Sequence, residues 1–333
     1  MSTDDITDDL TRNTQNAPVE LVTRSFFFVC AVLSIVTTVG IILLLVTEAM
    51  KFFSVTAPLM GFEGQTASIV EFLTGTTWQV NAGKFGVLAL VSATVLITFG
   101  SALIAIPFGV ATAIYLSEYA DPRHRDVLKP ALEVLAGIPT VVYGFFALIY
   151  ITPAIQTVLP DTGTFNLISA SIVVGIMIIP MVASISEDAM SAVPDDLRQA
   201  GYGMGATKFD VSTGIVVPAA LSGIFSSFIL ALSRAIGETM AVTVAAGAQA
   251  RYLNPFPVFE FLNGNAPLPV NVAVYQEGAL PMTAAMVQLL TGDIEGGGLE
   301  YRSLFAIGLT LFVITLVMNI VSDYIAQKYR EEY

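Results

Sequence analysis

Residues 26–46 are apolar almost throughout and carry no charge. Such a run crosses a bilayer as a helix, because hydrocarbon offers no partner to a free backbone N–H or C=O. Five further stretches read the same way: 85–116, 131–158, 167–185, 219–248 and 303–320. Only 12% of the residues are charged, against about 25% in a soluble globular chain. The strict apolar–polar alternation of a membrane β-barrel is absent. The expected fold is therefore an all-α integral membrane protein with six transmembrane helices.

The charges left over describe loops and tails. Residues 1–25 read as an acidic, disordered cytoplasmic tail, followed by the first transmembrane helix at 26–47. Residues 48–84 read as an external loop whose single tryptophan, Trp78, sits at the membrane interface. The core at 85–327 contains a polar loop at 194–210 and an external loop at 251–302, and 328–333 form a second cytoplasmic tail. Six crossings place both termini on one side. Nine Lys and Arg residues fall on that side and four on the other, so the termini and the 194–210 loop are expected in the cytoplasm of a plasma-membrane protein. A net charge of −13 argues against nucleic-acid binding. Cys30, the single cysteine, reads as a small buried hydrophobe, and no metal-ligand cluster or phosphate-binding loop is present.

Two features in residues 193–242 go beyond scaffolding. Arg234 and Glu238 lie inside an apolar stretch, four residues apart, where a helix would let them meet. A charge at mid-membrane costs about 2.5–3.5 kcal/mol or more. An arginine fork suits phosphate, Glu238 would neutralise it between anions, and Gly237 leaves room. The residues alone leave two readings open, a solute site and a structural salt bridge. The loop at 194–210 is equally open: a connector, or a short surface helix with a glycine-rich turn leading through Pro218 into the next span.

Gln199-Ala200-Gly201, Gly205-Ala206-Thr207 and Val217-Pro218 resemble the EAA loop of ABC-importer permeases. Gln199 stands where that pattern has glutamate, Gly201 where it has the second alanine, and Val217 where it has leucine. The segment from Arg234-Ala235-Ile236-Gly237-Glu238 to Thr239-Met240-Ala241-Val242 resembles PstC-type phosphate permeases. So does the stretch from Leu135-Ala136-Gly137 to Tyr143-Gly144, and 114–119 and 301–306 are weaker matches. The resemblance implies a cytoplasmic coupling loop between the fourth and fifth helices. Its docking residues would be Leu197, Gln199, Ala200, Gly201, Gly205, Ala206, Phe209 and Pro218, with Arg234 and Glu238 on the substrate path. It further implies no cofactor and no catalytic residue in this chain. The implied partners are a PstA-type permease, two PstB-type ATPases, a PstS-type external binding protein, inorganic phosphate and membrane lipid. The alternatives are a permease for sulfate or molybdate, and a membrane sensor or scaffold.

Overall fold

The structure is a computed structural model that describes residues 17–53, 67–254, 271–292 and 298–328. Most of the acidic tail, parts of both expected external loops and residues 329–333 lie outside the described residues. The described chain is helical nearly throughout. Helix α1 (Ala17–Phe52) is apolar on every side and exposed along most of its length, and it packs along the C-terminal helix. A helix apolar all round meets its solvent requirement in lipid. Cys30 lies exposed on α1, contrary to the burial expected for it.

Helix α2 (Ile69–Thr74) and a two-stranded hairpin, β1 (Trp78–Gln79) with β2 (Lys84–Phe85), follow. Gly83 turns the hairpin at φ +68, a conformation that favours glycine. Phe52, Phe53, Phe72, Trp78 and Phe85 meet edge to face. Trp78 is only 5% exposed. The interfacial anchor expected of it is thus a buried member of an aromatic cluster centred on Phe52, because the hairpin folds it onto Phe85.

Helix α3 (Leu88–Ile114) runs into a π-helical turn at Tyr115–Tyr119. Helix α7 (Leu167–Ser191) packs against α3 more closely than any other helix pair. Small residues make this possible, as between membrane helices generally. Gly100 faces Ser171, Gly109 faces Val182 and Gly175 faces Ser101 and Ile104. Pro107 and Pro180 sit inside these helices without ending them.

Between them lie α4 (Pro122–Ala136), α5 (Thr140–Phe146), a π-helical turn (Ala147–Ile151) and α6 (Thr152–Gln156). The chain bends by 87° at Gly137-Ile138-Pro139. Pro139 lacks an N–H and keeps Ile138 out of the helical region. The stretch expected to cross at 131–158 is therefore amphipathic up to Ala136, and the apolar segment that can cross begins at Thr140.

After α7 come α8 (Asp195–Gly203), α9 (Lys208–Val211), a π-helical turn (Ser212–Val216), α10 (Val217–Ala219) and α11 (Leu221–Gly237). The chain bends by 69° between α10 and α11. The fifth stretch is not one helix. It ends at Gly237 and resumes as α12 (Met240–Ala246). Helix α13 (Met282–Thr291) is buried along its first turn, although the sequence placed it in an external loop. Helix α14 (Leu299–Lys328) closes the bundle. Among the described residues four helices are long and apolar enough to cross a membrane, and the two bent pairs bring the count to as many as six.

Candidate functional site

The break in the fifth stretch creates the site. Glu238 adopts an extended backbone (φ −65, ψ 132) and ends α11. Its carboxylate accepts the Ala241 N–H at 3.2 Å, which caps α12. Its carbonyl accepts the Thr283 hydroxyl at 2.7 Å. Non-helical backbone at membrane depth is tolerated where protein satisfies it or where it lines a cavity. Here Thr283 supplies the partner.

The expected ion pair between Arg234 and Glu238 is not formed. The i,i+4 geometry requires a continuous helix, and this one stops between the two residues. Glu238 is 8% exposed and turned towards Ala241, whereas Arg234 is exposed. Among the described residues the Arg234 guanidinium makes no ion pair and no side-chain hydrogen bond. Nearby in the chain fold, the Tyr143 hydroxyl of α5 donates to the Leu135 carbonyl at 2.7 Å. Arg234 also lies in the last turn of α11, where a cation complements the helix dipole. Beside it Gly237 faces open space, as expected. Ser233 donates to Asn319 at 2.8 Å and ties this turn to α14. Beyond α12, two cavities of about 590 and 520 Å³ open on either side of Ala248.

The 194–210 loop folds as a short helix, a glycine turn and a second helix. Gly205 sits at φ +82 with open space around it, so it serves backbone conformation rather than packing. Thr207 and Asp210 form a reciprocal cap on α9. The Thr207 hydroxyl and amide hold the Asp210 carboxyl below the usual carboxylate range. Leu197 and Ala206 pack against a core of Met190, Val193, Val211 and Val216. Gly201 is buried, and a Cβ there would lie 2.7 Å from Ile215 and 2.9 Å from Val211. That crowding accounts for glycine in the position of the second alanine. Gln199, Ala200, Phe209 and Pro218 are exposed. With Tyr202 and Met204 they form the outer surface of the segment, and Met204 is 82% exposed. The loop residues therefore divide into an inward packing set and an outward set, and they lie apart from Arg234 and Glu238.

Two buried carboxylates escaped the sequence reading. Glu118, 8% exposed, binds Arg198 of α8 at 3.2 Å. Glu187, fully buried at the end of α7, is held by Arg125 and by Lys129, the latter at 2.7 Å. The hydrogen bonds it donates to Glu187 and then to Asp188 raise the Lys129 ammonium above its ordinary value. The available signal was an acid at the edge of an apolar run, Ser117-Glu118-Tyr119 and Ser186-Glu187-Asp188, where a solvated loop was assumed. Among the described residues no group of three or more His, Cys, Asp or Glu is placed to hold a metal ion.

The long apolar helices, together with the family pattern the chain carries, define a multi-pass membrane transport component. The chain belongs to the family of binding-protein-dependent transport system inner membrane components, whose pattern it matches over residues 105–331. It is 30% identical to the probable ABC transporter permease protein YqgH of Bacillus subtilis, over 88% of this chain and 89% of that one. It is 33% identical to the phosphate transport system permease protein PstC of Haemophilus influenzae, over 78% and 82% respectively. The fold also resembles a chain of a bacterial alginate ABC transporter solved with its pentasaccharide-bound periplasmic protein. That likeness has a TM-score of 0.57 at 12% identity and covers 95% of this chain and 98% of the other. The chain is a multi-pass permease subunit of a binding-protein-dependent importer.

Proposed function

We infer that this chain is the PstC-type half of an ATP-driven phosphate importer, and that Arg234 receives the anion. The observation that carries this reading is the exposed guanidinium of Arg234, without an ion-pair partner among the described residues and beside the break at Gly237–Thr239. A planar, permanently charged fork binds phosphate by paired hydrogen bonds. Glu238 has a different part from the one first expected. It holds the break open by capping α12 and does not neutralise Arg234.

The remaining parts follow from this reading. A PstA-type permease packs against the exposed faces of α5 and α11 and completes the path around Arg234. Six crossings put both termini in the cytoplasm. Two PstB-type ATPases hydrolyse ATP, and one of them seats the surface of Gln199, Ala200, Tyr202, Met204 and Phe209 in a groove. A PstS-type binding protein delivers phosphate to the outer cavities. Closure of the ATPase pair moves α8 and α9, and the bend at Ala220 turns that movement into rotation of α11. Such a switch requires contacts that differ between the two states, and the bend at Ala220 is where they would change.

Replacement of Arg234 by alanine tests the site. The variant should assemble with its partners and lose phosphate uptake. Normal uptake by an assembled Arg234→Ala complex would remove Arg234 from the path. Suppression of wild-type uptake by sulfate or molybdate would move the substrate to another oxyanion.

A further inference from the structure

The coupling segment is fastened to α3 as well as joined to α11. Arg198, near the middle of α8, reaches back to the π-helical turn that ends α3. Its guanidinium donates to Glu118 at 3.2 Å, to the Met190 and Val193 carbonyls at 2.8 and 2.6 Å, and to Asp195 at 3.0 Å. The Glu118 side chain is 4% exposed and that of Arg198 is 15% exposed. The Ser117 hydroxyl donates to the same carboxylate oxygen at 3.0 Å. At the other end of the segment, the Lys208 ammonium lies 5.2 Å from the centre of the Tyr119 ring. Two separate attachments therefore meet one turn of α3, eighty residues away in sequence.

Helix α3 runs from that turn back to Leu88. Near its other end, the Thr94 hydroxyl oxygen accepts the Met282 N–H at 3.0 Å. The next residue, Thr283, donates to the Glu238 carbonyl. A buried charge pair is a stiff connection, because separating its partners leaves a desolvated charge without its counter-ion. Among the described residues no ion pair spans the bend at Ala220.

We propose that the Glu118–Arg198 pair is the positioning contact through which the ATPase drives α3, and that α3 carries this motion to Glu238 through Thr94, Met282 and Thr283. In this scheme the segment 195–208 and the turn 115–119 move as one body, while α11 hinges against them. The proposal rests on 194–210 being the surface that the ATPase grips.

The test uses the reconstituted complex of both permeases, the ATPases and the binding protein in vesicles, scored as phosphate moved per ATP hydrolysed. Glu118→Gln should keep its ATPase subunits and its ATP hydrolysis but move on the order of tenfold less phosphate per ATP, within the usual range of coupling energies. An unchanged ratio in that variant overturns the proposal, even if its melting temperature falls, since a purely structural bond lowers stability without altering coupling. A second measurement does not depend on removing the bond. Spin labels at Asp196→Cys and Tyr115→Cys, in a Cys30→Ala background, should keep their separation between nucleotide-free and ATP-bound complexes. Labels at Asp196→Cys and Leu230→Cys should change theirs. A changing 196–115 distance overturns the proposal. Failure of the underlying reading shows separately, as full retention of ATPase subunits by a Phe209→Asp variant.

Discussion

Arg234 separates two roles that are easily confused in a charged pair four residues apart. Had α11 continued through Glu238, the arginine would be neutralised and the pair would serve packing. The break turns Glu238 to the Ala241 N–H and leaves Arg234 open. Arg234→Lys should therefore fail in transport nearly as badly as Arg234→Ala, since an ammonium cannot make the paired hydrogen bonds. Initial uptake rates of labelled phosphate check this, and uptake restored by lysine would show that charge alone suffices. Glu238→Gln retains an oxygen for the Ala241 N–H, whereas Glu238→Ala leaves it unpaired. The alanine variant should lose about 0.5–2 kcal/mol of stability and the glutamine variant clearly less, as read from thermal unfolding in detergent. Both residues were legible in the sequence as charges in an apolar run. Their geometry was not, because nothing in Gly237-Glu238-Thr239 forces a helix to end. The partner that stabilises the break, Thr283, lies 45 residues further on.

Among the elements, spans were more legible than bends. Apolar length identifies α1, α3, α7 and α14, since it measures what the bilayer demands. It cannot separate a surface helix from the span that follows it, so α4 was merged with α5 until the turn at Gly137-Ile138-Pro139 divided them. The 194–210 segment was readable through its glycines, and Gly205 at φ +82 shows why. A β-branched residue there is strained whatever the surrounding space. Gly205→Val should distort the turn and reduce ATPase subunits recovered with the complex, while Gly203→Ala, in open space at the end of α8, should not. Equal recovery from both variants would contradict the docking role. In the bundle, Gly109 lets α3 approach α7, and a Cβ there would lie 2.6 Å from Val182. Gly109→Leu should overpack this contact, costing about 1–3 kcal/mol and lowering the melting temperature. An unchanged melting temperature would mean that the pair has slack.

The whole molecule looks incomplete in a consistent way. α1 and the outer surface of the bundle are apolar and exposed, as lipid requires. Arg234 opens at an exposed face, as a second permease would require. Tyr202, Met204 and Phe209 are exposed on the 194–210 segment, as docking of a soluble partner would require. These surfaces could not be read from hydropathy, which sees all exposed apolar residues alike. They are distinguished by what lies beside them: more apolar helix, a free guanidinium, or a capped polar turn. The assembled permease is expected to move phosphate inward at the expense of ATP. The most direct measurement is uptake of labelled phosphate into vesicles holding this chain, its partner permease, the ATPase and the binding protein, with and without ATP and with excess sulfate and molybdate. Uptake that requires ATP and ignores both competitors is the predicted result. An assembled complex that moves no phosphate, or one whose uptake sulfate or molybdate suppresses, would contradict it.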